Sequence, residues 1–380
     1  MANSEKGYLP TLDGWRAIAV FAVLLDHTVA EGFRHTFPRF FALSRTGPNG
    51  VSLFFAISGF LICSRLLEEQ QMCGRISLAG FYVRRACRIL PAALAYLLVI
   101  SILGLTGVLI VTPWEWWSSV FFFRNYLPYH LINRGWGGFT IHYWSLAIEE
   151  HFYLLWPATL AIAGRVRARY IAICGSVVVA IWRWWDLQHG WFSQHVPGLL
   201  FPSRTDVRLD ALLMGCLAAL LLENPRWRAG FVRHFKPSLW WSSVAVYMLI
   251  QIVSRQHRYT LWESMLLPLI VTGTVYRPDR LVSKVLETSW IRWIGRLSYS
   301  LYLWQQLFSI QGGKYPLALL ERFPANIAMV FLMATLSYKF LERPMIRLGH
   351  RLAPPPTPGR QDISTRPAPA LIAQAAVAEG

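Results

Sequence analysis

The sequence predicts an all-α integral membrane protein with about ten transmembrane helices and both termini in the cytoplasm. Hydrophobic residues make up 54% of the chain and charged residues only 15%, whereas charged residues make up about 25% of a typical soluble domain. The apolar residues are gathered into runs of membrane-spanning length. The basic residues are concentrated in alternate connections between these runs, which is typical of a multi-pass protein.

Ten apolar runs are candidates for transmembrane helices, because about 20 helical residues cross the hydrocarbon core of a bilayer. They cover residues 11–30, 48–64, 89–111, 144–163, 170–186, 206–222, 238–254, 260–276, 290–310 and 325–341. The Trp-rich stretch 114–129 is predicted to be an interfacial or re-entrant segment.

The distribution of arginine and lysine orients these runs. The even-numbered connections and the segment after the tenth run are rich in cations. The odd-numbered connections hold fewer, although they contain Arg34, Arg39, Arg45, Arg255 and Arg258. Ten crossings with cytoplasmic termini fit this bias.

A formal net charge of +17 is explained by the same bias. It does not indicate nucleic-acid binding, because no basic stripe lies on a soluble face. We expect one transmembrane domain over residues 1–352, in the plasma or inner membrane of the cell. Residues 353–380 are rich in Pro and Ala and are expected to form a disordered cytoplasmic tail.

The first run contains Arg16 and His27, two ionisable residues inside a predicted membrane helix. They are eleven residues apart, so on an α-helix both project from nearly the same face, about 16 Å apart along the axis. Ionisable groups in hydrocarbon are costly and indicate a functional site. We expect Arg16 near the cytoplasm and His27 in the outer half. Asp26 points about 100° from His27, which makes it a weaker partner and leaves it as a candidate for substrate binding.

A second group of cations, Arg84, Arg85 and Arg88, lies at the cytoplasmic end of the third run. Arg85 and Arg88 are i,i+3 neighbours on a helix and can hold one polyanion together. Arginine forks suit phosphate groups, which favours a phosphorylated cytoplasmic ligand. Anchoring at the membrane surface is the alternative that the spacing leaves open.

Two adjacent acids, Glu149 and Glu150, lie at the predicted outer entrance of the fourth run. Ser145, Glu149 and Tyr153 share one helix face, whereas Glu150 points about 100° away. We expect an acid of this pair to approach and orient His27, as carboxylates orient imidazoles in other sites. Alternatively, both acids only mark the membrane surface. Ser145 and Tyr153 are candidates for substrate binding.

Arg208 and Asp210 lie at the outer end of the sixth run. As i,i+2 neighbours they do not face each other, so each either pairs with another group or binds substrate. Ser58 is a weak nucleophile candidate, because the sequence SGFLI lacks a flanking glycine of a nucleophile elbow. No cluster has metal-ligand spacing, and we expect no permanently bound cofactor.

Taken in order, these stretches resemble the membrane acyltransferase-3 family, which includes bacterial polysaccharide O-acetylases and antibiotic acylases. The similarity is found in LDGWRAIAV with its R-x10-H spacing, LFFAISGFLI, RRACRILP, WSLAIEEHFYLLWP, RLDALLMG, LSYSLYLW and KFLERP. The ordered set covers nearly the whole chain outside the tail.

The resemblance implies a ten-helix enzyme that takes an acyl group, usually acetyl, from cytoplasmic acyl-CoA as donor substrate and transfers it to a carbohydrate hydroxyl. On the matching positions, His27 becomes the catalytic candidate and Arg16 its partner. The other family positions are the CoA-phosphate ligands Arg85 and Arg88 and the acidic pair Glu149 and Glu150.

Two positions depart from the family pattern. Gln305 stands where the YLW motif is usually followed by His, and no role is assigned to it. His151 replaces the Gln of WSLxxEEQ, where it either adds a titratable group or packs.

The sequence therefore favours an O-acyltransferase with neutral His27 as general base, acting by direct transfer or through an acyl-histidine intermediate. The acceptor would be an exopolysaccharide, an O-antigen or an oligosaccharide. The alternatives are acylation of a macrolide-type metabolite and a proton-coupled transporter, which also needs intramembrane charges. Acyl chain length and oligomeric state stay open at this stage.

Overall fold

The computed structural model describes residues 9–29, 47–128, 131, 138–199, 203–253, 261–277, 280–309 and 317–354. These residues form helices and loops, and no β-strand occurs among them. The helices, in chain order, are α1 (Pro10–Leu24), α2 (Gly47–Cys73), α3 (Leu78–Leu105), α4 (Pro113–Val120), α5 (Tyr143–His189), α6 (Trp191–His195), α7 (Leu209–Leu222), α8 (Pro225–His234), α9 (Pro237–Val253), α10 (Leu261–Tyr276), α11 (Arg280–Leu286), α12 (Ser289–Ser309), α13 (Leu317–Leu320), α14 (Ala325–Ser337) and α15 (Arg343–Leu352). The predicted tail beyond Pro354, and the cations at positions 34, 39, 45, 255 and 258, lie outside the described residues.

The predicted all-α class is confirmed, since each of the ten apolar runs coincides with helix. Among the described helices, α2, α3 and α5 are long and apolar enough to cross a membrane, and α7, α9 and α10 are shorter apolar helices. The Trp-rich stretch folds as α4, which begins with a capping box formed by Thr112 and Glu115, followed by a 3₁₀ turn at Arg124–Tyr126.

Helix α5 contains the fourth and fifth predicted runs, which are separated by a reversal at Gly164. His151 Nδ1 lies 2.8 Å from Thr205 Oγ1, and Trp182 Nε1 donates to Asp206 Oδ2 at 2.6 Å. A straight helix would place two residues so far apart in sequence about 46 Å apart, yet both reach the same turn. The chain therefore folds back between them, and Gly164 has a left-handed φ of 71° that suits glycine.

Close helix contacts hold the centre of the bundle. Helix α2 packs mainly on α7 and α1, and α1 packs on α12. A Cβ on Gly59 would lie 2.1 Å from the carbonyl oxygen of Leu212, and one on Gly215 would lie 2.4 Å from that of Ala56. Glycine at both positions thus lets the backbones of α2 and α7 approach closely, as small residues do in membrane bundles.

The cation-rich connections meet at one end of the bundle. Arg165, next to the reversal in α5, donates to Glu223 Oε1 at 2.6 Å and to Gln70 Oε1 at 3.1 Å. Arg277 donates to the carbonyl oxygen of Val232 at 2.6 Å. The second, fourth, sixth and eighth predicted connections are joined by these contacts.

The third and fifth connections meet at the opposite end. Asn125 donates to Thr205 Oγ1 at 2.8 Å, and Asp206 pairs with Arg204 and accepts from Trp182. Burial alone would raise the pKa of Asp206, but the hydrogen bonds from Arg204 and Trp182 and the charge of Arg204 lower it below its usual value. Both clusters agree with the alternation predicted from the sequence.

Candidate functional site

A cavity opens between α1, α2, α3, α5 and α12. It encloses about 650 Å³ of empty space, counting the open space at its mouth. Polar and apolar side chains both line it, namely Arg16, Val51, Phe54, Phe55, Ser58, Arg85, Arg88, Ile89, Ser145, Leu146, Glu149, Ser298, Tyr299 and Tyr302.

Three arginines make the cavity electrically positive. Arg16 comes from α1, where its Nη1 lies 3.7 Å from Asp13 Oδ1. Arg85 and Arg88 come from successive turns of α3, and both line the cavity together with Arg16. Arg85 and Arg88 both line this cavity, which agrees with their i,i+3 spacing within α3. This wall suits an anion with more than one charge.

Glu149 lies in this cavity, and not beside His27 as predicted. Its Oε1 accepts a hydrogen bond from Ser58 Oγ at 2.8 Å, and its Oε2 lies 3.8 Å from Arg85 Nη2. The prediction was wrong because Glu149 lies six residues after the start of α5 at Tyr143, which is about 9 Å into the helix and not at its outer entrance. Glu150 does not line the cavity, as its predicted direction about 100° away requires.

Arg84 also differs from its prediction, because it does not line the cavity. Its Nη2 donates to Glu69 Oε2 at 3.2 Å, and its Nη1 donates to the carbonyl oxygen of Ala353 at 3.2 Å. Glu69 in turn accepts from the backbone N–H of Ser77 at 2.7 Å. Arg84 therefore ties α3 to the end of α15, and we assign it a structural role.

Asp210 and Arg208 are buried outside the cavity, which places them away from a substrate held there. Asp210 receives two hydrogen bonds from Arg183, at 3.0 and 2.9 Å, and one from Ser264 Oγ at 2.8 Å. Arg208 donates to Ser52 Oγ at 3.1 Å. The two residues have separate partners, as their i,i+2 spacing predicted.

The other candidates for substrate binding have different surroundings. Ser145 lines the cavity, with its Oγ 2.6 Å from the hydroxyl of Tyr302. Tyr153 is buried beneath the guanidinium of Arg85, which lies 3.7 Å from the ring centroid. Asp26 faces the start of α2, since a Cβ on Gly47 would lie 2.5 Å from Asp26 Oδ2. Ser145 is thus the one of these three that borders the cavity directly.

His27 lies beyond the cavity, in a π-helical turn formed by Leu25–Val29. The wider turn changes the rotation per residue, so the regular helical spacing that placed Arg16 and His27 on one face does not extend to His27. The Nδ1 of His27 lies 3.2 Å from Gln305 Oε1. Because an amide oxygen only accepts, this contact assigns the proton to Nδ1 and leaves the Nε2 lone pair for use as a base.

Gln305 was missed as a functional residue because it is 278 positions away from His27 in the chain. The departure from the family's usual His after YLW was the available signal. An amide oxygen can orient the imidazole as well as a second histidine could, provided that its own geometry is fixed. Ser309 Oγ donates to the same oxygen at 3.1 Å, which holds the Gln305 amide in place.

His142 is a second histidine that the sequence did not single out. It is buried against three tyrosine rings, with centroid distances of 5.1 Å to Tyr96, 4.9 Å to Tyr143 and 5.8 Å to Tyr302. Its carbonyl oxygen accepts from Ser145 Oγ and from the Tyr302 hydroxyl, both at 3.2 Å. His142 therefore lies directly behind two side chains of the cavity wall. In the part of the chain that the structure describes, no group of His, Cys, Asp and Glu is arranged to hold a metal ion.

Comparisons with known proteins found one family model and several relatives that match the chain. A family model described as an acyltransferase domain matches residues 9–340. The chain is 29% identical over 391 residues to the peptidoglycan O-acetyltransferase OatA of Listeria monocytogenes, which covers 91% of this chain and 57% of the relative. It is 29% identical over 371 residues to the O-acetyltransferase OatA of Staphylococcus aureus, with 90% of this chain and 58% of the relative covered. The chain thus spans less than two thirds of the length of these relatives, and no solved structure matches it.

Proposed function

Since the chain belongs to the acyltransferase-3 family of membrane acyltransferases, we propose that it moves an acetyl group from cytoplasmic acyl-CoA to a hydroxyl of a carbohydrate. The observation that carries this proposal is the arginine-lined cavity. His27 adds an imidazole whose Nδ1 faces Gln305 Oε1, so that its Nε2 lone pair is available as a base. The cavity suits the phosphates of the acyl donor, and the imidazole suits proton transfer from the acceptor hydroxyl.

In this proposal the three arginines bind the phosphate groups of the acyl-CoA donor. Coenzyme A carries a pyrophosphate and a further phosphate, and Arg16, Arg85 and Arg88 offer several guanidinium N–H groups to such an anion. Glu149 neutralises only part of this charge, and its contact with Arg85 helps to fix the direction of that guanidinium. The pantetheine arm would then extend from the arginines toward Ser145 and the end of the cavity.

The topology supports a donor from the cytoplasm. The connections that carry most cations meet at one end of the bundle, and positive connections face the cytoplasm in multi-pass proteins. Arg85 and Arg88 follow the second of these connections. We therefore assign this end to the cytoplasm, with ten crossings, both termini inside and the plasma or inner membrane as the location.

His27 supplies the base in this proposal. Its Nε2 removes the proton of the acceptor hydroxyl, the oxygen attacks the thioester carbonyl, and the carbon–sulfur bond breaks as the ester forms. Gln305 keeps the other ring nitrogen protonated throughout. Proton transfer by a positioned group typically contributes about 10²–10⁴-fold to the rate. The acceptor class follows the relative named as a peptidoglycan O-acetyltransferase, and we propose a glycan hydroxyl at the outer face.

Radiolabelled acetyl-CoA with the purified full-length chain in lipid nanodiscs tests this function. Peptidoglycan strands and chitin oligosaccharides serve as the acceptors, and the transferred acetyl group is counted on the isolated glycan. We expect transfer by the wild type and by the control His189→Gln, which changes an exposed residue near the end of α5. We expect a loss of about 100-fold or more in His27→Ala. Unaltered transfer in His27→Ala would contradict the assignment of the base, and no acetylated glycan from the wild type would contradict the function.

A further inference from the structure

Three hydrogen-bond donors converge on one backbone carbonyl oxygen beside the arginine-lined cavity. The carbonyl oxygen of His142 accepts from the backbone N–H of Ser145 at 3.3 Å, from Ser145 Oγ at 3.2 Å and from the hydroxyl of Tyr302 at 3.2 Å. The two hydroxyl oxygens lie 2.6 Å apart. A carbonyl oxygen has two lone pairs, so one of the three donors is in excess. Ser145 and Tyr302 both line the cavity, where the excess donor can serve a bound molecule.

Tyr302 is the donor that can turn toward the cavity. The N–H and the hydroxyl of Ser145 contact a carbonyl of their own helical turn, a local bond that serine readily makes. The hydroxyl of Tyr302 comes from α12, and its contact of 3.2 Å is long for an O–H donor, whose usual distance is about 2.7–2.8 Å. If the Tyr302 proton turns away, the carbonyl keeps the Ser145 N–H, and the Ser145 hydroxyl donates to the Tyr302 oxygen.

The ring of Tyr302 is fixed by its neighbours, so that only the hydroxyl proton has to move. The residue is 6% exposed. Its ring meets the Phe54 ring edge to face at a centroid distance of 6.2 Å, and the His142 ring in the same manner at 5.8 Å. A donor that is held in place before the reaction costs little reorganisation when charge develops beside it.

The Ser145–Tyr302 pair lies further from the cytoplasmic end of the cavity than the partner of Arg85 does. Glu149, which contacts Arg85, follows Ser145 by four residues in α5, or about 6 Å along the helix axis. From there α5 continues to Arg165 in the cation-rich cluster. A donor whose phosphates bind the arginines would therefore extend its thioester toward Ser145 and Tyr302.

Tyr302 also lies next to the residue that holds His27. Gln305, which contacts His27 Nδ1, follows Tyr302 by three residues in α12, so the two side chains are neighbours on one helix face about 4.5 Å apart along the axis. The acceptor hydroxyl that His27 deprotonates has to reach the thioester carbon. The carbonyl group under attack would then lie between the end of the cavity and His27, beside Tyr302.

We propose that the Tyr302 hydroxyl donates a hydrogen bond to the carbonyl oxygen of the acetyl thioester and stabilises the negative charge that this oxygen gains. The inference rests on the proposed acyltransferase function. As the acceptor oxygen bonds to the carbonyl carbon, one electron pair of the C=O bond moves to the carbonyl oxygen. When that pair returns, the carbon–sulfur bond breaks and its electrons stay on the sulfur, which takes up the proton that His27 removed from the acceptor. Tyr302 keeps its own proton, and the products are the acetyl ester and the free thiol of CoA.

Steady-state kinetics of the full-length chain in nanodiscs tests this role, with acetyl-CoA as donor and chitin oligosaccharides as acceptor. Tyr302→Phe keeps the ring and removes the hydroxyl. Tyr96→Phe is the matched control, because the Tyr96 hydroxyl is also buried but donates to the carbonyl oxygen of Phe139 at 2.7 Å, and Tyr96 does not line the cavity. Binding of desulfo-CoA, which has no thioester, shows that each variant is folded.

Removal of one such donor typically lowers kcat by about 10²–10³-fold, which is the fall expected for Tyr302→Phe. The KM for acetyl-CoA and the binding of desulfo-CoA should stay within about threefold of the wild type, because the bond strengthens only as charge develops. The pH profile of kcat should keep its shape, since Tyr302 exchanges no proton. Tyr96→Phe should keep kcat within about threefold of the wild type.

Infrared spectroscopy tests the contact at the carbonyl itself. A ketone analogue of acetyl-CoA, in which a methylene group replaces the sulfur, cannot be cleaved, and a ¹³C label identifies its C=O stretch. The stretch of the bound analogue should lie at a lower wavenumber in the wild type and in Tyr96→Phe than in Tyr302→Phe. An equal wavenumber in all three proteins would overturn the proposal, as would a kcat of Tyr302→Phe within about threefold of the wild type. If the wild type transfers no acetyl group, the proposed function fails, whereas an active wild type with an equally active Tyr302→Phe refutes the role of Tyr302 alone.

Discussion

The buried ion pair between Arg183 and Asp210 gives a sharp test of whether Asp210 is structural. Replacing Asp210 with Asn leaves Arg183 without a counter-ion in a place where the two side chains are only 3% and 1% exposed. Removing one partner of such a pair typically costs about 3–5 kcal/mol. At about 2–4 °C per kcal/mol, the melting temperature should fall by about 10 °C. Fluorescence-detected size-exclusion chromatography after heating measures this in detergent.

A double variant separates the two roles of Asp210. Arg183→Met with Asp210→Leu replaces the pair by apolar side chains of similar size, which is often neutral or stabilising. The double variant should recover most of the lost stability and should transfer acetyl groups at a rate near the wild type, because neither residue lines the cavity. A double variant that is stable but does not transfer acetyl groups would refute this reasoning. Asp210 would then again be a candidate for substrate binding.

The matched control for this experiment is an exposed ion pair. Arg65 Nη1 lies 3.0 Å from Glu68 Oε2, with side chains 47% and 44% exposed. Solvent screens this pair, so Glu68→Gln should change the stability by less than about 1 kcal/mol. If the melting temperature of Glu68→Gln fell as far as that of Asp210→Asn, burial would not determine how much stability is lost when an ion pair is broken.

Three further results are expected. Gly59→Ala would place a Cβ 2.1 Å from a carbonyl oxygen of α7 and should destabilise the bundle by about 1–3 kcal/mol. Gly230→Ala, with no atom near its Cβ, should be neutral or stabilising by about 0.5–1 kcal/mol. Heating curves of the two variants measure the difference in stability. Arg88→Ala should raise the KM for acetyl-CoA by about tenfold or more through lost charge-assisted hydrogen bonds, and Arg84→Ala should leave it within about threefold; equal effects would contradict the cavity assignment. The pKa of Asp206 lies below its usual 3.8, so the stability from its ionised form is complete at neutral pH and is lost as the pH falls through the lowered pKa; the melting temperature of wild type should therefore decline on acidification more steeply than that of Asp206→Asn.

Helix positions were predictable from the sequence because a spanning helix must be apolar along its whole length. All ten runs fall on helices, and the boundary between the fourth and fifth was correct even though the structure joins them in α5. The pairing of Arg85 with Arg88 was predictable for a similar reason. Both residues lie on one helix, where spacing alone sets direction.

Contacts between distant parts of the chain were not predictable in this way. The partner of His27 is Gln305, and the partners of Glu149 are Ser58 and Arg85, which lie on two other helices. His142 was not singled out from the sequence, although it packs against rings from three helices. Spacing along one helix contains no information about which other helix supplies a neighbour.

The π-helical turn at Leu25–Val29 has a consequence for insertions and deletions. Such a turn holds about one residue more than a regular α-helical turn. Deleting one residue there would restore a regular helix with little change at Arg16, and would rotate the following imidazole by about 100° away from Gln305. A deletion of the Asp26 codon should therefore leave a well-folded protein in which His27 no longer contacts Gln305. The length of this segment therefore sets the direction of the His27 side chain.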